Sequence, residues 1–168
     1  MNIVSMPLSR KDIRYLTKEL RKIAGLEEKT YFPIIEFIEL ILVANEGMEF
    51  EIVESYEMQD TYGTTNTSQN KMFIRNDVYE GAIQGNPRDR FTLCHELAHY
   101  LLHQPDTISY ARGNVPKYRD PEWQANTFAA ELMAPYDLIK NMSINEIMKK
   151  CGMSRQAAKI QYNIIHNR

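Results

Sequence analysis

The run His95-Glu96-Leu97-Ala98-His99 places two imidazoles and one carboxylate within about one turn of helix. Four residues along an α-helix turn the chain by about one revolution and advance it by about 6 Å, so both imidazoles project from one face. They can therefore converge on one metal ion, and Glu96 lies beside them, placed to hydrogen-bond a metal-bound water. This pattern is typical of zinc sites that activate water, where the metal lowers the pKa of the water and the carboxylate takes its proton.

A catalytic zinc ion needs three protein ligands and one open position. His103 continues the spacing of His95 and His99. On an unbroken helix, however, it lies about 12 Å along the axis from His95, too far to share one ion. The pattern favours helix capping or solvent exposure for His103 over a role as a polarising or hydrogen-bonding group beside the site.

The third ligand must then come from another helix, and Glu122 opens the next predicted one. A carboxylate on a second helix packed against the first would give a set of two histidines and one glutamate. Asn126 lies one turn beyond Glu122, where it could accept the free N–H of a ligating histidine. Glu131, at the far end of the same helix, is the alternative ligand.

Two segments together resemble the ImmA/IrrE family of metallo-endopeptidases. The first is Arg90-Phe-Thr-Leu-Cys-His-Glu-Leu-Ala-His99, and the second is Glu122-Trp-Gln-Ala-Asn-Thr-Phe-Ala-Ala-Glu-Leu-Met-Ala-Pro135. The run 73–79 also fits the strand that precedes the active helix in that family. The resemblance extends over roughly residues 30–165, and the two motifs are specific in their order and spacing.

The resemblance implies a gluzincin-like site, with zinc bound by His95, His99 and Glu122 and with Glu96 as the general base. Gln124 stands where the family often has a second acid, and the closing motif reads Met-Ala-Pro instead of Leu-Met-Pro. Neither departure changes the three implied ligands, His95, His99 and Glu122. Such proteins are often encoded by mobile elements or prophages. They cleave a helix-turn-helix repressor, which derepresses transfer or stress genes.

Peptide hydrolysis at such a site also needs a second donor for the developing oxyanion. The polar segment 104–120 and its flanks offer four side chains, and the sequence does not choose among them: Tyr110, Tyr118, Arg112 and His103. Cys94 adjoins His95, but neighbouring helical residues point about 100° apart. We therefore expect Cys94 to be a small buried hydrophobe rather than a fourth zinc ligand.

Capping signals and periodicity predict the helices that position these residues. Ser9 caps a helix to about Ala24, Pro33 starts a buried helix through residue 44, and Asn86-Pro87 starts the active helix through His103. The first helix has a predicted apolar stripe (Ile13, Leu16, Leu20, Ile23) and a basic outward face (Arg10, Lys11, Arg14, Lys18, Arg21, Lys22).

The remaining signals complete the predicted secondary structure. Alternation from Phe50 to Met58 predicts a half-buried strand, and the turn-rich residues 60–70 join it to a second strand at Lys71–Arg75. A helix follows Pro121 and stops at Pro135. A capping box of Ser143 and Glu146, and a cap at Ser154, predict two short C-terminal helices separated near Gly152.

These elements predict an α+β fold: a mainly helical zincin-like domain with a small antiparallel sheet beside the HExxH helix and a helical C-terminal tail. We assign residues 1–142 to the metallopeptidase domain. Residues 143–168 form a helix-turn-helix-like extension packed on it. A length of 168 residues suits a single domain. Two cysteines exclude a disulfide scaffold, and neither a signal peptide nor a membrane-spanning run is evident, so we expect a cytoplasmic protein.

The formal net charge of −2 is the sum of acidic and basic side chains that lie in different segments of the chain. Residues 27–60 carry ten acidic side chains and one basic side chain, and residues 147–168 carry five basic side chains and no acidic one. Our hypothesis is that the acidic side, which includes the strand predicted beside the active helix, recruits a basic, DNA-binding protein substrate.

The C-terminal tail supports an alternative from another functional class. Helix, glycine turn and capped helix is the spacing of a helix-turn-helix, and its basic residues could contact phosphates (Lys149, Lys150, Arg155, Lys159, Arg168). The chain could then be a DNA-binding or repressor-sequestering regulator with a non-catalytic zinc site. Ala157, Ala158 and Ile160 favour packing instead. We therefore expect a zinc endopeptidase acting on a helix-turn-helix repressor, without direct binding of nucleic acid or membrane.

Overall fold

A computed structural model describes residues 1–167 of the chain. Its strands are β1 (Asn2–Ser5), β2 (Glu49–Val53), β3 (Gly63–Asn66), β4 (Lys71–Arg75) and β5 (Ile108–Ala111). Its helices are α1 (Arg10–Ile23), α2 (Ile34–Phe37), α3 (Ala44–Glu46), α4 (Ser55–Met58), α5 (Asn76–Ile83), α6 (Pro87–Leu102), α7 (Pro121–Met133), α8 (Tyr136–Ile139), α9 (Ile144–Cys151) and α10 (Arg155–His166). A π-helical segment, Ile38–Val43, joins α2 to α3.

The α+β class, with a helical domain, small sheets and a helical C-terminal tail, is confirmed. Helices α6 and α7 pack along one another at the centre of the core. Alanines 98, 125 and 129 are fully buried in these two helices, and such small side chains allow a close approach. Leu97 and Phe128 fill the space around them, so the two helices that carry the motif residues form a rigid pair.

Both of these helices begin where the sequence predicted, at Pro87 and Pro121. The Asn86 side chain accepts hydrogen bonds from the backbone N–H groups of Arg88 and Asp89, and Pro87 occupies the first turn of α6. Asp120 caps α7 in the same way. These side chains satisfy N–H groups that a helix start leaves unpaired, so the local sequence determines where each helix begins.

The larger sheet is mixed, which corrects the predicted antiparallel hairpin. Its strand order is β2-β4-β3, with β2 parallel to β4 and β3 antiparallel to β4. Tyr56 and Met58, predicted as strand, lie in α4, where Glu54 and Glu57 form a capping box. The turn-rich run contains β3, whose β-branched threonines pair with β4. The strand that packs on α6 is therefore β3, and the acidic β2 lies at the opposite edge.

A second sheet that the sequence did not predict joins β1 to β5 in antiparallel register, with Ile3 opposite Tyr110. Because β5 lies in the polar segment after α6, this pairing fixes the N-terminal strand beside that segment. The backbone N–H of Leu8 donates to the carbonyl of Tyr118 at 2.8 Å, which extends the contact.

Helix α1 has the predicted bounds but a different buried face. Ile13 is fully buried as predicted, whereas Ile23 is 83% exposed. Thr17, which is not part of the predicted apolar stripe, is buried. Arg21, predicted to face outward, is 1% exposed. Its guanidinium donates to main-chain carbonyls, including that of Leu132 at 2.8 Å, so backbone acceptors around it replace the water it would otherwise bind.

The C-terminal helices α9 and α10 begin at the predicted caps, Ser143 and Ser154. The buried Gln161 amide of α10 donates to the carbonyl of Ala134 at 3.1 Å, and α10 packs on α7. The division of the chain at residue 142 stays a prediction, and the basic residue Arg168 lies outside the described residues. Within residues 1–167, no helix is both long and apolar enough to cross a bilayer.

Candidate metal centre

Helices α6 and α7 bring the side chains of His95, His99 and Glu122 together. The Nε2 atoms of the two histidines lie 3.0 Å apart. Glu122 reaches them from α7, with Oε2 at 3.2 Å from His95 Nε2 and Oε1 at 3.2 Å from His99 Nε2. One atom from each residue therefore faces a common point, and the group could hold a metal ion.

Asn126 lies where it can orient His95. Its Oδ1 atom is 2.9 Å from His95 Nδ1. An amide oxygen only accepts hydrogen bonds, so the imidazole donates from Nδ1. In the neutral ring, the Nε2 atom of His95 then carries a free lone pair, which faces Glu122.

A longer chain of hydrogen bonds orients His99. His103 Nδ1 lies 2.8 Å from His99 Nδ1, and His103 Nε2 lies 2.9 Å from Gln124 Oε1. The Gln124 amide nitrogen donates to the carbonyls of Met6 and Tyr118, both at 2.8 Å, which leaves Oε1 as an acceptor.

The hydrogen-bond partners indicate an order of protons along this chain. Burial lowers the pKa of His103 to about 4, although the hydrogen bond with Gln124 and the charge of Glu122 oppose the shift. His103 is therefore neutral near pH 7 and has one N–H, which it gives to Gln124. Its Nδ1 accepts from His99, so in the neutral His99 ring Nε2 also presents a lone pair toward Glu122.

When both rings are neutral, their Nε2 lone pairs and the Glu122 carboxylate converge on one point. Such a set of acceptors favours a cation among them, either a proton shared with Glu122 or a metal ion. Ligand atoms at about 2.05 Å from a tetrahedral zinc ion are about 3.3 Å apart. The separations of 3.0–3.2 Å match that spacing, so the residues present fit a metal of this type.

Electrostatics within the group agree with this arrangement. Hydrogen bonds with His95 and then His99 hold the pKa of Glu122 well below its usual range, although burial opposes them. Burial lowers the pKa of His95, but the hydrogen bond with Glu122 and the nearby charge of Glu96 outweigh it, so the net shift is upward. The Glu122 side chain is 68% exposed, which leaves one side of the group open.

Glu96 is held beside the group by β3. Its side chain is buried, and Oε2 accepts a hydrogen bond from the Thr65 hydroxyl at 2.7 Å. Gly63 leaves room for it, because a Cβ atom there would lie 3.0 Å from Glu96 Cγ and 2.8 Å from Ile74 Cδ1. A small cavity of about 370 Å³ contains the group and is lined by Gly63, Thr64, Thr65, His95, Glu96, His99 and Glu122.

None of the four side chains predicted to stabilise an oxyanion lines this cavity. A larger cavity of about 910 Å³ also reaches His99 and Glu122, and its described lining includes neither Tyr110, Tyr118 nor Arg112. His103 does line it, but both ring nitrogens of His103 are engaged with His99 and Gln124. His103 is the C-cap residue of α6, the first of its two expected roles, and it is buried instead of exposed to solvent.

The positions of Glu131 and Cys94 bear on two further alternatives, in which one or the other would be a metal ligand. Glu131 is fully buried at the far end of α7, where it accepts hydrogen bonds from Arg10 and Arg14 of α1, away from His95 and His99. Cys94 is fully buried, and burial raises the pKa of its thiol to about 12. It is the small hydrophobe that the sequence predicted.

The sequence does not reveal Thr65 and Gly63 as site residues, because the polar run that contains them predicts a turn. The pair Thr64-Thr65 is a weak strand signal in that run. In the sequence, Gln124 stands out only as a departure from the pattern of the resembled family. Its role depends on a contact with His103, 21 residues earlier, which local spacing does not reveal.

An HExxH helix, a strand that packs on it and a carboxylate from the following helix together define a zincin-like domain. The sequence model of the IrrE N-terminal-like domain, peptidase family M78, matches residues 52–162. The chain therefore belongs to this family, which is of the metallopeptidase type. A search among curated proteins finds no match to the chain.

Proposed function

We propose that this protein is a zinc-dependent endopeptidase. The observation that carries the proposal is the convergence of two histidine Nε2 lone pairs and the Glu122 carboxylate, 3.0–3.2 Å apart, beside the buried Glu96. Zinc takes nitrogen and oxygen ligands of these types, and a set of two histidines and one glutamate leaves a fourth position for water. The exposed side of Glu122 gives substrate access to that position.

Different residues of the chain have different roles in the proposed hydrolysis. When bound, zinc would supply a Lewis acid that polarises the peptide carbonyl and makes a water acidic. Glu96 accepts the proton of that water and passes it to the amine nitrogen that leaves. Thr65 holds Glu96 in place, and Asn126 and His103 fix the imidazole rings of His95 and His99.

The substrate peptide binds in an extended form along β3. This strand is at the edge of its sheet and pairs only with β4 within the described residues. Its backbone lies directly over α6, since the Thr65 hydroxyl also lies 3.2 Å from the Glu96 carbonyl. An added strand would satisfy the backbone groups of β3 and place a peptide bond above the metal site.

The substrate we propose is a helix-turn-helix repressor of a mobile element or prophage, whose cleavage in the cytoplasm derepresses transcription. Family membership and the acidic surface around residues 27–60, which would attract a basic DNA-binding protein, support this choice. Direct binding to DNA is not part of the proposal, because Ala158 and Gln161 of α10 are buried in packing.

Co-expression with the repressor encoded beside its own gene tests the proposal. We expect the wild-type protein to produce two repressor fragments, identified by mass spectrometry, and Glu96→Gln to leave the repressor intact. This variant removes the base but no ligand, so elemental analysis should find about one zinc per chain in both proteins. A wild-type protein without metal would contradict the zinc site.

The fate of the repressor separates the proposal from its alternative. A regulator that only sequesters the repressor would bind it and leave it intact, with the wild-type protein and Glu96→Gln behaving alike. Tight, sequence-dependent DNA binding by the protein alone in a gel-shift at physiological salt would favour a DNA-binding regulator.

A further inference from the structure

The larger cavity at the metal centre, with a volume of about 910 Å³, is lined by residues of β1 and β3, which belong to different sheets. We call it the β1–β3 cleft. It shares Thr64, Thr65, His99 and Glu122 with the smaller cavity, so the two are continuous. Strand β3 packs on α6, whereas β1 packs on α7. Because the metal centre lies between these two helices, β3 and β1 border it on different sides.

The free edge of β3 presents backbone groups that do not pair with β4. The backbone N–H of Arg75 donates to the carbonyl of Tyr62 at 3.1 Å, so these residues form a hydrogen-bonded pair that continues the β3–β4 register. Opposite residues of antiparallel strands alternate between pairs with and without hydrogen bonds. The N–H and C=O groups of Gly63 and Thr65 therefore point away from β4.

Strand β1, which pairs with β5 alone within residues 1–167, has a free edge of the same kind. The backbone N–H of Met6 donates to the carbonyl of Thr107 at 3.1 Å, which continues the β1–β5 register. The same alternation makes the N–H and C=O groups of Ile3 and Ser5 point away from β5. The Ser5 carbonyl accepts from Arg119 Nε at 3.3 Å, whereas Ile3 is 50% exposed and lines the cleft. Ile3 therefore offers one backbone donor and one backbone acceptor to the cleft.

The direction of β3 determines which part of a substrate enters the β1–β3 cleft. Gly63 lies against Glu96, whereas the Thr67 hydroxyl, just beyond β3, donates to the carbonyl of His103 at 3.1 Å. Strand β3 therefore runs in the same direction as α6, and the described lining of the cleft includes His103 and not His95. Antiparallel pairing is the more stable arrangement for an added strand, and an antiparallel peptide passes His103 before it reaches the metal centre. The residues before the scissile bond therefore lie in the cleft.

From this geometry we infer that β1 is a second substrate-binding edge, so that the residues before the scissile bond are held as a strand between β3 and β1. The inference rests on the proposed endopeptidase function and names the way in which the substrate chain is recognised. A strand inserted between two others has hydrogen-bonding neighbours about 4.8 Å away on both sides. One residue of the peptide pairs with Thr65, and the next one pairs with Ile3. The peptide thereby completes a mixed sheet in the order β2-β4-β3-peptide-β1-β5.

Recognition at two edges selects a class of substrate segment. Consecutive residues of the peptide must offer free N–H and C=O groups to both strands, whereas residues of a helix use these groups within the helix. Proline has no N–H group, so it is excluded at these positions. The protein therefore cuts after an extended, proline-free segment, such as a linker between folded parts of the repressor, and not within its DNA-binding helices.

Single N-methylation of successive residues in one peptide tests the inference. The peptide is selected from a mixed library by binding to zinc-loaded Glu96→Gln, and the zinc-loaded wild-type protein then locates the cut by mass spectrometry. Successive N–H groups of a strand point to opposite sides. N-methylation at two neighbouring positions before the cut should therefore each lower kcat/KM roughly 3- to 10-fold, because each removes one hydrogen bond. Binding to β3 alone predicts a loss at only one of the two neighbours.

Proline substitution tests the edge of β1 directly. Ile3→Pro removes the N–H that faces the cleft and leaves the ladder to β5 intact, because this N–H does not pair with β5. It should lower kcat/KM for the unmodified peptide roughly 3- to 10-fold, with zinc content unchanged. It should also reduce the penalty for N-methylation at one of the two neighbouring positions and not at the other.

Tyr110→Pro is the matched control for this substitution. Tyr110 lies directly opposite Ile3 in the β1–β5 register, so its N–H faces the outer edge of β5. Tyr110 lines neither cavity of the metal centre. This variant should therefore keep the wild-type kcat/KM and the wild-type pattern of N-methylation.

The affinity of zinc-loaded Glu96→Gln for the same peptides, measured by fluorescence anisotropy, reads the cleft without cleavage. Cleavage with a loss at only one of the two neighbouring positions, or with equal kcat/KM for Ile3→Pro and the wild type, overturns the inference and leaves the endopeptidase function standing. Affinity losses at both neighbouring positions without any cleavage support the second edge and contradict the endopeptidase function. Neither binding nor cleavage would overturn both.

Discussion

A carboxylate that acts as a general base must be held at one orientation, because proton transfer depends on the distance to the attacking water. In this protein Thr65 supplies that constraint. Its hydroxyl lies 2.7 Å from Glu96 Oε2 and 3.2 Å from the Glu96 carbonyl oxygen. Thr65 is therefore a positioning residue that acts through Glu96.

Thr65→Val should lower kcat roughly 10- to 100-fold, because it removes a hydrogen bond to a charged group while preserving the shape of the side chain. Zinc content by elemental analysis should stay at the wild-type value, since no ligand changes. Steady-state kinetics on one peptide substrate would measure the effect, with KM little altered.

Thr65→Ser is the matched control, because it keeps the hydroxyl and loses only a methyl group. It should recover most of the lost kcat. Equal losses of kcat in the serine and valine variants would show that Thr65 contributes by packing in β3 and not by orienting Glu96.

At the scale of elements, the helices were the most predictable part of the molecule. Their caps are local, since Asn86, Asp120, Ser143 and Ser154 each bind backbone N–H groups two or three residues ahead. The HExxH spacing is local in the same sense. The face shared by His95 and His99 therefore followed directly from the sequence.

The sheet and the supports of the site were not predictable in this way. The parallel pairing of Glu49 with Lys71 spans a helix and another strand, and no turn signal records it. Thr65 contacts Glu96 across 31 residues. These contacts depend on tertiary packing, which periodicity and capping do not encode.

Helix α1 illustrates how packing overrides a local pattern. Arg21 is buried against the end of α7 and the segment after α1, and its guanidinium donates to the carbonyls of Leu132, Lys29 and Thr30. Burial lowers its pKa to about 10, so it is still charged at neutral pH. A buried charge surrounded by backbone acceptors ties three segments together.

Arg21→Met should lower the free energy of unfolding by about 2–4 kcal/mol, because it leaves several buried carbonyl oxygens without a donor. Urea denaturation of the metal-free protein measures this, and the metal is removed so that ligand binding does not add to stability. Lys22→Met, at the neighbouring exposed position, should change the value by no more than about 0.5 kcal/mol. Similar values for the two variants would mean that the carbonyl contacts of Arg21 do not stabilise the packing of α1.

At the scale of the whole molecule, the acidic strand β2 and the strand that packs on α6 lie at opposite edges of one sheet. Strand β2, with Glu49 and Glu51, lies at the sheet edge opposite β3, so these carboxylates do not touch a peptide bound beside α6. Any effect they have on a basic substrate must act over distance, before the substrate binds in the cleft. Such an interaction changes the rate of encounter more than the chemical step.

Cleavage of a basic protein substrate should therefore slow as salt rises, with kcat/KM falling roughly tenfold between low and physiological ionic strength, while kcat stays nearly constant. The double variant Glu46→Lys/Glu51→Lys, at two exposed positions, should flatten this dependence. Lys11→Glu, on the exposed basic face of α1, is the matched control and should not flatten it. A short uncharged peptide fills only the cleft, so its cleavage should not respond to salt. If the protein and peptide substrates showed the same salt response, the acidic surface would be solvated surface without a role in recruitment.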